Sequence, residues 1–264
     1  MIYDSFRFYN EFDILEIRLE EHWEIVDKFV LVEAPFTQSY IPKPLYYKEN
    51  KDKFKKYWEK IVPIEILGSS FHRTRHNYND RLQRNDFKVQ LDYNDDDIFI
   101  LSDVDEILNS RVVREKNLFE QVSQHDAIQV NLSLHHYYVN YVVEGFQWVG
   151  PVISTGKLLR ESKVSQLRKS AKARMWDVSI DNAGWHFSWM GGIERITDKM
   201  YTLCNKDLIV EYLAKMDFET RIKEGITFDY LTDGHKLTLD NNIKLPKYLE
   251  DNREKFSYMF RSNI

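Results

Sequence analysis

Asp97-Ile98-Phe99-Ile100-Leu101-Ser102-Asp103-Val104-Asp105-Glu106 is the stretch that decides how the chain is read. The polar run from Asn94 to Asp97 stops at four large apolar residues, and carboxylates return at Asp103, Asp105 and Glu106. Four apolar residues without alternation suit a strand covered on both faces, as inside an α/β sheet. Ligands of such sheets bind beyond the carboxyl ends of the strands, which is where Asp103 and Asp105 fall. In extended chain, residues two apart point the same way. Two converging carboxylates repel unless a cation lies between them, and oxygen ligands favour Mg²⁺ or Mn²⁺. A cation held by two side chains keeps positions open for substrate phosphate oxygens. The pattern points to metal-assisted handling of a diphosphate; the competing reading is a solvated turn after a strand. An EF-hand loop starting at Asp92 fails on its spacing, with Asp97 at the glycine position and Asp103 at the bidentate glutamate.

Outward from this strand, the first half reads β, α, β, α, β. Ile2 to Tyr9 alternates as a strand. Asn10 or Glu11 opens an amphipathic helix with Phe12, Leu15 and Leu19 inside and Glu16, Arg18, Glu20 and Glu21 largely outside. Phe29 to Val32 is a second buried-type strand, ending in Glu33. A lysine-rich surface helix is predicted over Lys48 to Lys60, a short strand over Ile61 to Ile66 and a helix over Tyr78 to Tyr93. Beyond the organising strand, Arg111 to Ser123 reads as a helix and Ala127 to Val143 as a hairpin. Helices follow around Ile193 to Cys204 and Leu208 to Lys223, and Lys247 to Phe260 closes the chain. The order predicts an α/β fold with a mostly parallel central sheet, helices on both faces and a mixed C-terminal half. No linker or internal repeat interrupts it, so 1–264 reads as a single domain.

A chain of 264 residues suffices for one large α/β domain. With 43% hydrophobic and 30% charged residues it has the composition of a soluble globular protein. The net charge of -5 argues against a nucleic-acid or membrane partner held by bulk electrostatics. Cys204 is the only cysteine, which rules out an internal disulfide and fits a reducing compartment. Without a long apolar run or a signal-type start, the chain reads as cytoplasmic, with no membrane insertion. Lys157 to Arg174 holds seven basic residues against Glu161 alone. Such a run is either a solvated face or a patch for a diphosphate or an acidic acceptor.

Several segments recur together in one family. They are Tyr9-Asn10-Glu11-Phe12-Asp13 with Glu16-Ile17-Arg18-Leu19, Val26 to Ala34, Lys43-Pro44-Leu45 and Gln83-Arg84-Asn85. Asp96 to Ile100 running into Asp103 to Ile107, Ala183 to Trp189, and Pro246-Lys247-Tyr248-Leu249 complete the set in order. With these the chain resembles glycosyltransferase family 17. The resemblance implies a GT-A-like, inverting nucleotide-sugar transferase that uses Mn²⁺ or Mg²⁺ at a D-x-D motif, here Asp103 and Asp105. It also implies a UDP-sugar donor, N-acetylglucosamine favoured, and a glycan acceptor. Residues 1–110 would form the nucleotide-sugar half and 111–264 the acceptor side.

Inversion in one displacement needs a carboxylate base near the acceptor hydroxyl, and Glu106, Asp181 and Asp229 are the candidates. Glu106 points opposite to the pair in a strict strand, so a buried, paired carboxylate is its competing role. His186, between Trp185 and Trp189, is a candidate third metal ligand or a core histidine. Trp185 is assigned to the acceptor wall and Trp189 to the core. Arg81 and Arg84, a turn apart on a helix, are solvated or reach the donor phosphates together with Asp103. Glu33 and Asn10 are candidates for the base or ribose, with an ion pair as the other role for Glu33. Two rival functions stand beside the transferase. A haloacid-dehalogenase-type phosphohydrolase also places D-x-D after an apolar strand, but normally near the start of its domain and with Thr or Val where Ile107 stands. The other is a non-catalytic carbohydrate-binding module on a transferase scaffold.

Overall fold

The computed structural model describes residues 1–172, 175–203, 217–228 and 234–262. Strands β1 (Ile2–Arg7), β2 (Lys28–Glu33), β3 (Ile61–Glu65) and β4 (Ile98–Leu101) run parallel in the order β3-β2-β1-β4. The sheet changes character beyond β4. Later come β5 (Glu106–Leu108), β6 (Ala127–His136), β7 (Tyr141–Thr155), β8 (Ser179–Ile180), β9 (Gly184–Ser188) and β10 (Leu237–Leu239). β7 joins β4 antiparallel, and the sheet continues as β7-β6-β9-β5, with β8 on β6 and β10 on β7. The parallel first half and mixed second half are those the sequence predicts, and the hairpin is β6–β7.

Helices α1 (Phe12–His22), α2 (Tyr46–Asn50), α3 (His76–Asn85), α4 (Phe87–Gln90), α5 (Ser110–Glu115) and α6 (Leu118–His125) connect the first strands. α7 (Gly156–Glu161), α8 (Val164–Lys172), α9 (Gly192–Thr202), α10 (Phe218–Glu224) and α11 (Lys247–Asp251) follow. Both faces of the sheet are covered. Phe29, Leu31, Ile98 and Ile100 pack into one apolar cluster with Leu15 and Leu19, while Val30, Val32, Phe99 and Leu101 pack into another with Tyr3 and Phe87. This is why the strands read as unbroken apolar runs.

Three expected helices differ, and a fourth is described only in part. Tyr78 to Tyr93 is α3 and α4, ending at Gln90. Lys48 to Lys60 is α2 followed by a 3₁₀ stretch with a kink at Phe54 (φ -107, ψ 20), which turns Phe54 and Tyr57 into the core. Arg111 to Ser123 is two helices, broken at Asn117, which adopts a left-handed conformation (φ 49). Of Leu208 to Lys223, residues 208–216 lie outside the described residues, as does Cys204. Among the described residues no helix is long and apolar enough to cross a membrane.

Arg18 also departs from its expected place on the outside of α1: it is fully buried. Its guanidinium donates to both oxygens of Asp4 on β1, at 2.9 and 2.5 Å, and to Ser102 Oγ at 2.6 Å. It also donates to the carbonyls of Asp103, Val104 and Glu106, at 2.8, 3.3 and 2.7 Å. His22, one turn on, places Nδ1 2.7 Å from the same Asp4 and accepts from the Leu108 N–H through Nε2 at 3.0 Å. Burial works against the charged Asp4, but Arg18 and His22 outweigh it and lower its pKa to about 2.

Removing one partner of a buried ion pair strands the other, at a cost of about 3–5 kcal/mol. Arg18→Met is therefore expected to lower the urea midpoint by that measure with an unchanged slope. Asp4 has a depressed folded pKa, so its stabilisation is complete above its unfolded pKa of 3.8 and fades as pH falls through about 2. Asp4→Asn, less stable than wild type at neutral pH, is expected to converge with it in urea titrations as the pH drops through that window.

Candidate functional site

Past β4 the chain cannot stay extended, because Arg18 gathers the turn carbonyls of Asp103, Val104 and Glu106. The turn is closed twice more. The Glu106 N–H donates to the Asp103 carbonyl at 3.0 Å, and the Asp103 N–H donates to Glu106 Oε2 at 2.7 Å. Asp103 and Asp105 thereby face one cavity of about 440 Å³, which also takes Tyr9 and Glu11 after β1, Arg84 of α3, Arg168 of α8, His186 of β9 and Lys199 of α9.

Asp103 is the centre of an arginine cluster. Its Oδ1 accepts from Arg7 Nε and Nη2 at 3.1 and 2.9 Å and from Arg84 Nη1 at 2.6 Å. Its Oδ2 accepts from Arg84 Nη2 at 3.1 Å and Arg168 Nη2 at 3.2 Å. Burial opposes the charge, yet Arg7, Arg84 and Arg168 hold this carboxyl well below the usual range. With both oxygens accepting from guanidinium groups, Asp103, expected as a metal ligand, anchors the arginines at the cavity wall. Arg7 also pairs with Asp80 at 2.6 Å. Arg84 lines the cavity, whereas Arg81, three residues earlier on the helix, is exposed and lies off it.

Asp105 has a different environment. Oδ2 accepts from Lys199 Nζ at 2.7 Å, and Oδ1 lies 3.6 Å from His186 Nε2. Despite burial, Lys199 and His186 hold this carboxyl far below the usual range, and Asp105 pushes Lys199 up to about 12. His186 Nδ1 is buried with no hydrogen-bond partner among the described residues, and the ring packs against Trp148 with centroids 4.4 Å apart. Among the described residues no group of three or more His, Cys, Asp or Glu side chains is arranged to hold a metal ion. Asp105 and His186 nonetheless offer a carboxylate oxygen and an imidazole nitrogen to the same space, a donor pair that fits Mn²⁺ when phosphate oxygens complete the shell.

β9 sorts its residues by the period of a strand. His186 and Ser188 line the cavity, while Trp185 and Phe187 stack on one another in the core with centroids 6.5 Å apart. Trp185 Nε1 donates to the Lys244 carbonyl at 2.8 Å. Trp185 is therefore core and not acceptor wall, while Trp189, which leaves the strand at φ 59, is buried as expected, packing on Phe228 with centroids 5.0 Å apart, and also borders the cavity.

Glu106 is fully buried, accepting from Arg168 Nη1 and Nη2 at 2.7 and 2.8 Å and from Trp148 Nε1 at 2.6 Å. Against the effect of burial, Arg168 lowers its pKa. It braces the turn and has no access to an acceptor hydroxyl, which corrects its assignment as base. Asp181 is exposed off the cavity, accepting from Asn131 Nδ2 at 2.6 Å. Asp229 lies outside the described residues. Glu33 caps α2, its oxygens accepting from the Tyr47 and Lys48 N–H groups at 2.6 and 3.2 Å, and it does not face the cavity. Asn10 is also off the lining; its neighbour Glu11 is on it, 3.9 Å from Lys199. The reading missed Arg7, Glu11, Trp148, Arg168 and Lys199. A signal existed for two of them: Arg7 ends β1 as the carboxylates follow β4, and Arg168 belongs to the basic run.

The sequence pattern of glycosyltransferase family 17 matches residues 1–264. The chain belongs to glycosyltransferase family 17. Among its relatives, beta-1,4-mannosyl-glycoprotein 4-beta-N-acetylglucosaminyltransferase of Rattus norvegicus is 24% identical over 300 residues, covering 96% of this chain and 53% of the relative. The Homo sapiens protein of that name is 24% identical over 297 residues, with 95% and 53% covered. The chain thus spans about half the length of these relatives. Among solved structures, a 4-diphosphocytidyl-2C-methyl-D-erythritol synthase aligns with a TM-score of 0.42 at 13% identity, over 69% of this chain and 89% of that one. The S. aureus TarS 1–349 structure aligns at 0.41 and 12% identity, over 85% and 68%.

The Lys199–Asp105 pair can be read directly. With its pKa at about 12, Lys199 holds its proton more firmly than an ordinary lysine. At about pH 9 it is expected to react with acetic anhydride roughly tenfold more slowly than an ordinary exposed lysine. Asp105→Asn should remove that protection, as read by mass spectrometry of the modified peptides.

Proposed function

We propose that this chain transfers a sugar, N-acetylglucosamine favoured, from a UDP-sugar to a hydroxyl of a glycan acceptor, with inversion and with Mn²⁺ or Mg²⁺ as cofactor. The observation that carries the reading is the pairing of Asp105 with His186 beside an arginine-anchored Asp103, at the carboxyl end of β4 in a cation-rich cavity. The metal would be held by Asp105 and His186. Bound there, a divalent ion stabilises the charge that develops on the diphosphate leaving group. Tyr9, Glu11 and Lys43, on the β1 and β2 side of the cavity, take the nucleoside. The acceptor oxygen forms its bond to the anomeric carbon as the bond to the diphosphate oxygen breaks, and the hydroxyl proton leaves to a base. Glu106 is too enclosed to be that base. A phosphohydrolase reading suits the site less well, since its nucleophile would be Asp103, both of whose oxygens accept from guanidinium groups.

Uridine diphosphate with Mn²⁺ is expected to raise the melting temperature, by mass action on the native state, more than the guanosine analogue does. His186→Ala should lose the metal-dependent part of that increment while unliganded stability changes little. Asp105→Ala should lower release of uridine diphosphate from UDP-sugars by about 10²–10³-fold or more. Stabilisation undiminished in EDTA would overturn the metal assignment, and equal stabilisation by guanosine diphosphate the uridine assignment.

A further inference from the structure

Among the described residues of the basic run, Lys157 to Lys172, only some are accounted for by ion pairs. Arg160 reaches Asp95 at the surface, and Arg168 is committed to Glu106 and Asp103. Lys169 and Lys172 line the same cavity, and neither forms an ion pair with a described residue. With Ser165 and Arg168 they occupy positions i, i+3, i+4 and i+7 of α8 and so share one face of the helix. Trp148 of β7 stands beside that face, with Lys172 Nζ 4.6 Å from its ring centroid. Burial, and then repulsion from Arg168, pushes the Lys172 ammonium below the ordinary lysine value. Both lysines keep solvent exposure, and the Glu106 and Asp103 carboxylates offset the Lys172 charge only in part.

The charge inventory of the cavity indicates which ligand compensates. Seven cationic side chains line it against four carboxylates, an excess of three. On the transferase reading, the donor diphosphate is served by the ion at Asp105 and His186, leaving the lysine pair unused. Its position fits the acceptor. In the sheet order, β4 with its carboxylates lies between β1, whose end carries Tyr9 and Glu11, and β7, which carries Trp148 beside α8.

We propose that Lys169 and Lys172 on α8 form an anion subsite for the acceptor, so that the accepting sugar, or the residue next to it, carries a carboxylate or a phosphate monoester. The proposal rests on the transferase reading. Two ammonium groups aimed at one anionic group form charge-assisted hydrogen bonds, which are stronger than neutral ones and discriminate against an uncharged sugar.

The test measures binding to the full chain with uridine diphosphate and Mg²⁺ present, using methyl glucuronide, a glucose phosphate monoester and methyl glucoside as probes in saturation-transfer NMR. At least one acidic probe is expected to bind about tenfold more tightly than the glucoside. The Lys169→Gln/Lys172→Gln double variant should lose that preference while keeping its affinity for uridine diphosphate and its melting temperature. Equal binding of all three probes to wild type overturns the proposal. So does a double variant that loses uridine diphosphate affinity with no acidic-sugar preference to lose, which moves the lysines to the donor. Uridine diphosphate binding is measured first and alone; its absence with every divalent ion sinks the transferase reading, and the acceptor subsite with it.

Discussion

One buried guanidinium fixes the geometry on which the site depends. Arg18 joins the middle of α1, the carboxylate of Asp4 on β1 and the carbonyls that follow β4. A buried arginine is tolerated only when its donors are satisfied. Here the acceptors are largely the backbone of one turn, so satisfying the charge and shaping the turn are the same event. The directions of Asp103 and Asp105 follow from it.

Above the turn lies a second layer of charge. Asp103 gathers Arg7, Arg84 and Arg168, and Glu106 returns beneath to hold Arg168 and the Asp103 N–H. Few of these charges have freedom to reorganise, because each is held by at least two polar partners. Such a network in a low-dielectric wall is preorganised: its charges are fixed in place before any ligand arrives. Asp105 differs from Asp103 in having one oxygen toward His186 and the other toward a lysine on a different helix. Two carboxylates two residues apart thus stand in separate surroundings, one among three arginines, the other between a lysine and a histidine.

Much of the sheet was legible because its signal is local. The apolar runs of β2 and β4 exist because helices cover both faces, and the place of Asp103 and Asp105 follows from where β4 ends. What was not legible depends on partners far along the chain. Asp103 meets Arg7 and Arg168 from 96 and 65 residues away, and no spacing rule announces such a meeting. Arg18 was read as solvated because helical arginines usually are; its burial depends on Asp4, a single acid inside a strand. Trp185 was misplaced for a different reason. The strand period fixes His186 as opposite to Trp185, but which face meets the cavity is set by the pairing of β9 with β5 and β6. Glu33 ends a strand as the site carboxylates follow one, yet its oxygens are drawn to the first N–H groups of α2.

The one-sided charge of the cavity wall has a kinetic consequence. The chain as a whole is anionic, at -5, while its cavity is cationic. A dianionic ligand approaching from bulk is repelled weakly by most of the surface and drawn in only near the mouth, where the low-dielectric walls concentrate the field. Encounters are thereby funnelled to one orientation, phosphates first. That funnel operates over roughly a Debye length, about 8 Å at physiological ionic strength. Added salt therefore slows capture by screening that field.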